Sequence, residues 1–135
     1  MTGLPRAKGP RERLALWAPV LLLLAFEAFL SSQSRLPRVL PRFVPDADKA
    51  LHAGYFLLVG LSAARAGLVA EGWSRRGTLL AVALGALAWG FSDEWHQSFV
   101  PGRDVEAADV LADVVGATLG AALASPILAR LRRPA

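Results

Sequence analysis

Four apolar runs constrain this chain more than any other feature: Leu14 to Leu30, Leu51 to Ala70, Thr78 to Phe91 and Val114 to Leu128. Four membrane spans of about 20 residues each use roughly 80 positions. In a chain of 135 residues that leaves tails and short loops and no room for a separate soluble domain. With 54% hydrophobic residues and a positive mean hydropathy, the composition also points to a membrane protein rather than a water-soluble helical domain. The expected fold is all-α, an integral membrane bundle of four transmembrane helices at about 14–30, 50–70, 77–98 and 107–128. These form one domain over 14–128, between basic tails at 1–13 and 129–135.

The first run follows Arg6, Lys8, Arg11 and Arg13, which is also how a secretory signal begins. It is long for a signal core, and Leu30, Ser31 and Ser32 make a poor cleavage site, so a retained helix is expected. Arg65, near the far end of the second run, can reach the interface by snorkelling. The third run rises only about 21 Å as a helix and must take in Ser92 to Phe99 to cross a core of about 30 Å. The fourth is also short and must recruit Asp109 and Asp113 into its opening turns. The stretch from Ser31 to Asp48, with Pro37, Pro41 and Pro45, reads as a loop along the membrane surface. There is no internal repeat.

Nine Lys and Arg residues flank one set of span ends and five flank the other. By the positive-inside rule this predicts a plasma-membrane protein with both termini cytoplasmic. The basic residues cluster at the ends of apolar runs and do not alternate with aromatics along one face, so no nucleic-acid partner is expected. The absence of cysteine excludes disulfides, thiol nucleophiles and thiolate metal sites.

Alternation of four spans brings together the end of the first helix, the start of the second, the end of the third and the start of the fourth. Those ends carry Glu27, Ser31, Ser32 and Gln33; Asp48, Lys49 and His52; Asp93, Glu94, His96 and Gln97; and Arg103, Asp104, Glu106, Asp109 and Asp113. The opposite ends carry mainly Arg. A membrane anchor needs flanking charge but no carboxylates, amides and histidines within its helical register, so the polar ends read as a site.

At about 100° per residue, Asp109, Asp113, Gly116 and Gly120 form one stripe, acidic above and small below, with the glycines allowing close helix approach. Asp109 alone could be an acidic first turn, but Asp113 lies a turn deeper and demands a partner. Asp48, His52 and Tyr55 share a face, and Glu94 and Gln97 point inward together, with Asp93 and His96 expected at the rim. Pro101 and Gly102 turn the chain so that Arg103 projects over the cluster. It would there either grip a phosphate or carboxylate, or form a salt bridge to Asp109 or Glu94 that only holds the loop.

The candidate catalytic residues are therefore Glu94, His52, Asp109 and Asp113, and the candidate substrate-binding residues are Arg103, Gln97, Lys49 and Asp48. A histidine with three carboxylates suits a hard or borderline divalent metal, although no short metal motif is present.

The segments SSQS (31–34), DKALH (48–52) with Phe56 and Gly60 beyond, DEWHQSFVPGR (93–103) and DVLADVVGATLG (109–120) resemble the VanZ family of small bacterial membrane proteins. The resemblance spans about Leu14 to Leu123. Its specific part is Glu-x-x-Gln-x-x-x-Pro-Gly-Arg followed by Asp. Asp113 stands where the family usually has Asn, and Glu106 where a small polar residue is usual.

The resemblance implies action at the cell envelope and a link to glycopeptide (teicoplanin) susceptibility. The expected partners are membrane lipids, with lipid-linked envelope precursors as the substrate class that the resemblance suggests. Two functions fit the cluster: a lipid head-group hydrolase or transferase at the outer face, and a non-catalytic protein that binds or shields an envelope lipid or membrane partner. An ion pathway would need polar residues through the membrane depth, which the inner halves of the third and fourth helices lack.

Overall fold

A computed structural model describes residues 9–34 and 47–130. Most of the proline-rich loop, and much of the charge on which the expected orientation rests, lies outside the described residues. The described chain is all-helical: α1 (Pro10–Ser31), α2 (Ala47–Ala66) running into a π-helical turn (Gly67–Glu71), α3 (Arg75–Gln97) and α4 (Ala107–Arg130).

Local chemistry explains the breaks. Pro10 opens α1, where its missing N–H costs nothing. The π turn ends at Gly72, whose φ of 67° is left-handed and suits glycine, and the Trp73 N–H donates to the Gly67 carbonyl at 3.0 Å. Ser74 then caps α3, its hydroxyl accepting from the Gly77 N–H at 3.0 Å.

Three of these helices, α1, α2 with its π turn, and α4, are long and apolar enough to cross a membrane. Helix α3 is the exception. Its 23 residues have the length, but Ser92, Asp93, Glu94, His96 and Gln97 make its last turns polar.

Small residues set the packing. A Cβ added at Gly60 would collide with the Ala117 carbonyl, one at Gly116 with the Ala53 carbonyl, and one at Gly120 with the Leu57 carbonyl. Helices α2 and α4 therefore meet backbone to backbone, an approach only glycine permits. Around this seam the core is built from Phe56, Val59, Ala64, Val82, Ala86, Ala117 and Ala121. Large apolar side chains point outward instead: Leu22, Phe26, Leu80, Leu84, Phe91, Leu111 and Leu119 are all more than half exposed. So much apolar surface would drive aggregation in water, whereas in lipid it faces its own solvent.

Helix α1 is held at its two ends. Near its start, Arg13 pairs with Glu71, Trp17 Nε1 donates to Glu71 at 3.0 Å, and the rings of Trp17 and Trp73 meet edge to face at 6.0 Å. Toward its end, Tyr55 donates its hydroxyl proton to the Leu23 carbonyl at 2.6 Å, and Trp89 Nε1 donates to Glu27 at 2.7 Å.

Candidate functional site

The four polar helix ends come together. Starting from α2, Lys49 reaches toward α4, and its Nζ lies 2.5 Å from Asp48, 2.6 Å from Glu106 and 2.8 Å from Asp109. One turn deeper, His52 Nδ1 hydrogen-bonds Asp113 Oδ1 at 2.9 Å, while its Nε2 lies 3.8 Å from Asp109. The second distance is too long for a hydrogen bond. Asp113 thus has the partner that its depth demands. As acceptor it also holds the imidazole proton on Nδ1 and leaves Nε2 with a free lone pair.

Carboxylate oxygens of Asp48, Glu106 and Asp109 lie within 4.8 Å of one another, a spacing that could hold a cation. The Lys49 ammonium already fills that position. A metal would have to displace a tethered charge that belongs to the protein, so the donor set fits this lysine better than an added ion.

From α3, Glu94 and Gln97 are buried, at 6% and 4% exposure. Glu94 accepts the backbone N–H of Glu106 at 2.7 Å and so ties the end of α3 to the residue that precedes α4. It is a scaffold for the turn, with one oxygen committed. Gln97 donates to Asp93. Asp93, expected at the rim, is buried, because this bond turns its carboxylate inward along the helix. His96 does lie at the rim, exposed, with its Nε2 3.1 Å from the Ser32 hydroxyl. Asp48 is more than half exposed. Tyr55 turns toward α1 rather than joining Asp48 and His52.

Among the described residues the Arg103 side chain forms no ion pair, so neither expected bridge, to Asp109 or to Glu94, is present. Its Nε is buried without a hydrogen-bond partner. The turn that carries it packs on the end of α1, where a Cβ on Gly102, at φ 81°, would approach the Ser34 carbonyl to 3.3 Å. Ser31, only 1% exposed, likewise has an unpartnered hydroxyl. A buried polar atom without a partner costs about 1–3 kcal/mol, which a ligand can recover. Ser31 ends α1 and Arg103 lies in the connection between α3 and α4, at the same end of the bundle as the polar cluster.

Glu27 joins the cluster from α1. Trp89 holds it, and Asp93, Asp113 and His52 are near enough to act on its charge. The carboxylates of Glu27, Asp93, Glu94, Asp109 and Asp113 thus outnumber Lys49 and His52 inside the cluster. A bare anion would be repelled from its depth and drawn to Arg103 at its edge.

The family model described as VanZ/LLP1 matches residues 14–130. No curated protein and no solved structure matches the chain. The match covers most of the chain, from the second turn of α1 to the end of α4: the chain is a membrane protein of the VanZ/LLP1 family.

Proposed function

We propose that this VanZ/LLP1 protein binds the phosphate-bearing head group of a lipid-linked envelope precursor at the outer face of the plasma membrane, and acts on it as a hydrolase or transferase. In this reading α3 crosses the bilayer beside its three more apolar neighbours. Both termini lie in the cytoplasm, as the excess of Lys and Arg at that set of span ends favours. The polar mouth then opens outward, and altered precursors would change glycopeptide (teicoplanin) susceptibility.

The observation that carries the proposal is the contrast between cations. Lys49 and His52 are matched by carboxylates, whereas Arg103 is unpaired among the described residues and has a buried Nε without a partner. Its guanidinium suits a phosphate. Ser31, at the end of α1 on which the Arg103 turn packs, supplies a second unsatisfied polar group.

With the phosphate held there, His52 is the general base. Asp113 orients the ring and stabilises the imidazolium that forms, and Nε2 accepts the proton of the attacking water or hydroxyl, as in other carboxylate-oriented histidines. The bond from phosphorus to the oxygen opposite the nucleophile breaks, that oxygen takes its proton from water at the open mouth, and the imidazolium returns its own proton to solvent. Asp109, facing Nε2, orients the nucleophile.

The test is to incubate the purified protein in nanodiscs with lipid-linked envelope precursors and follow head-group mass. The expected result is a product formed by the wild type and lost in His52→Gln, with binding retained. Binding by the wild type without turnover, with and without divalent metals, would overturn catalysis in favour of a protein that only binds or shields the lipid.

A further inference from the structure

Between α1 and α3 the bundle leaves a slot of about 190 Å³ within the apolar part of the molecule. Its walls are Val20 and Leu24 of α1, Phe56 and Val59 of α2, and Val82 and Gly85 of α3. Ala81 and Gly85 are exposed, and a Cβ added at Gly85 would meet nothing within 4 Å, so the slot reaches the lipid-facing surface.

We infer that this slot holds the hydrocarbon chain of the same lipid whose head group engages Arg103, an inference that rests on the head-group reading above.

Three observations select that occupant. Water is a poor one, because a buried water needs two to four polar partners. The indole N–H groups of Trp17 and Trp89, on the slot wall, are already donated to Glu71 and Glu27. An extended protein segment is also a poor one, because it would bring backbone polar groups with nothing to satisfy them, and a whole helix, about 10 Å across, is too wide for a slot of this volume.

Continuity with the polar site is the third. Trp89 lines the slot and holds Glu27, which borders the cluster around His52 and Asp113. The upper end of the slot therefore abuts the floor of the polar cluster, and a chain that continues past Glu27 for the roughly 12 Å from Trp89 to the end of α3 would carry its head group to the mouth. At the other end Trp17 and Trp73, packed edge to face and fixed by Glu71, form a floor. From Trp89 to Ala81 the slot runs along α3 for about 12 Å. It therefore takes one segment of a chain, and the remainder leaves sideways past Ala81 and Gly85 into the bilayer.

The experiment uses the full-length protein in phosphatidylcholine nanodiscs with an isoprenyl monophosphate carrying a diazirine in its chain. After irradiation, the labelled residues are mapped by mass spectrometry. Label concentrated on Trp17 to Leu24 and Ala81 to Trp89 is expected. In Gly85→Leu it should fall to the level on the lipid-facing Leu111 and Leu119. Ala81→Phe, at an exposed position, serves as a second filling variant should Gly85→Leu fail to reach the membrane.

Label spread evenly over lipid-facing residues, or unchanged by both fillings, overturns the inference. A probe with a methyl ether in place of the phosphate separates this failure from that of the head-group reading. Slot label that persists with the ether removes the head group from the account and with it the single-lipid inference. Phosphate-dependent binding without slot label removes only the slot.

Discussion

His52 and Asp113 meet across the seam between α2 and α4, with Nδ1 and Oδ1 2.9 Å apart, one turn below the Lys49 ion cluster. Because Asp113 is 4% exposed, its carboxylate depends on that ring for compensation. His52→Ala should therefore destabilise the protein by about 3–5 kcal/mol, the usual cost of stranding a buried charge. Asp113→Asn keeps an acceptor for the Nδ1 proton and should cost far less, while removing the charge that steadies an imidazolium. Thermal melts in detergent check the first contrast. The second should appear as a fall in kcat with little change in KM. Equal melting losses in the two variants would show that the cost is not that of a stranded charge.

The glycines divide into two groups with opposite signs. Gly116→Ala and Gly120→Ala force a Cβ into the carbonyls of Ala53 and Leu57 and should cost at least about 1–3 kcal/mol, since two backbones must separate. Gly54→Ala and Gly85→Ala meet open space and should gain up to about 1 kcal/mol from helix propensity. Yield and melting temperature of the four variants test the assignment together. Stabilisation by Gly120→Ala would contradict the close approach of α2 and α4.

The apolar runs made the helical class and the membrane setting legible, and the spacing of Asp109, Asp113, Gly116 and Gly120 marked the stripe of α4 that faces α2. Both signals are local, fixed by 3.6 residues per turn and by the exclusion of unpaired polar groups from lipid. The rotation of α1 was not legible. That helix is apolar almost all round, so no periodicity indicated that Trp17 and Glu27 face Glu71 and Trp89. The bond that Glu94 makes was hidden for a different reason, since its partner is a backbone N–H whose position depends on the path of the turn from Ser98 to Glu106. The same dependence left the choice between a paired and an unpaired Arg103 open until the turn was in view.

Glu94 provides a test that separates positioning from acid–base work. Glu94→Gln keeps an oxygen to accept the Glu106 N–H, so the turn should hold and head-group turnover should survive. Glu94→Ala removes a hydrogen bond to a charged acceptor, a loss of about 1.5–3 kcal/mol, and should loosen the segment that carries Arg103. Hydrogen exchange across 98–106 should rise in the alanine variant and stay near wild type in the glutamine one. Loss of turnover in Glu94→Gln with an unchanged exchange pattern would return the general-base role to Glu94.

Lys49 is the last test, because it separates a resident ammonium from a metal. In the wild type its Nζ lies within 2.8 Å of oxygens from Asp48, Glu106 and Asp109, so added divalent cations meet a filled position. In Lys49→Met the same three carboxylates, within 4.8 Å of one another, lose their cation and repel. The variant should melt lower than wild type, and millimolar calcium should restore part of the loss, because calcium accepts several carboxylate oxygens in flexible geometry. By linkage the recovered stability grows with the logarithm of the calcium concentration once it exceeds the dissociation constant. Calcium titrations of both proteins check this. An equal rise in wild-type melting would mean that the ion binds without displacing Lys49, and would make the outer carboxylates a metal site in the native protein.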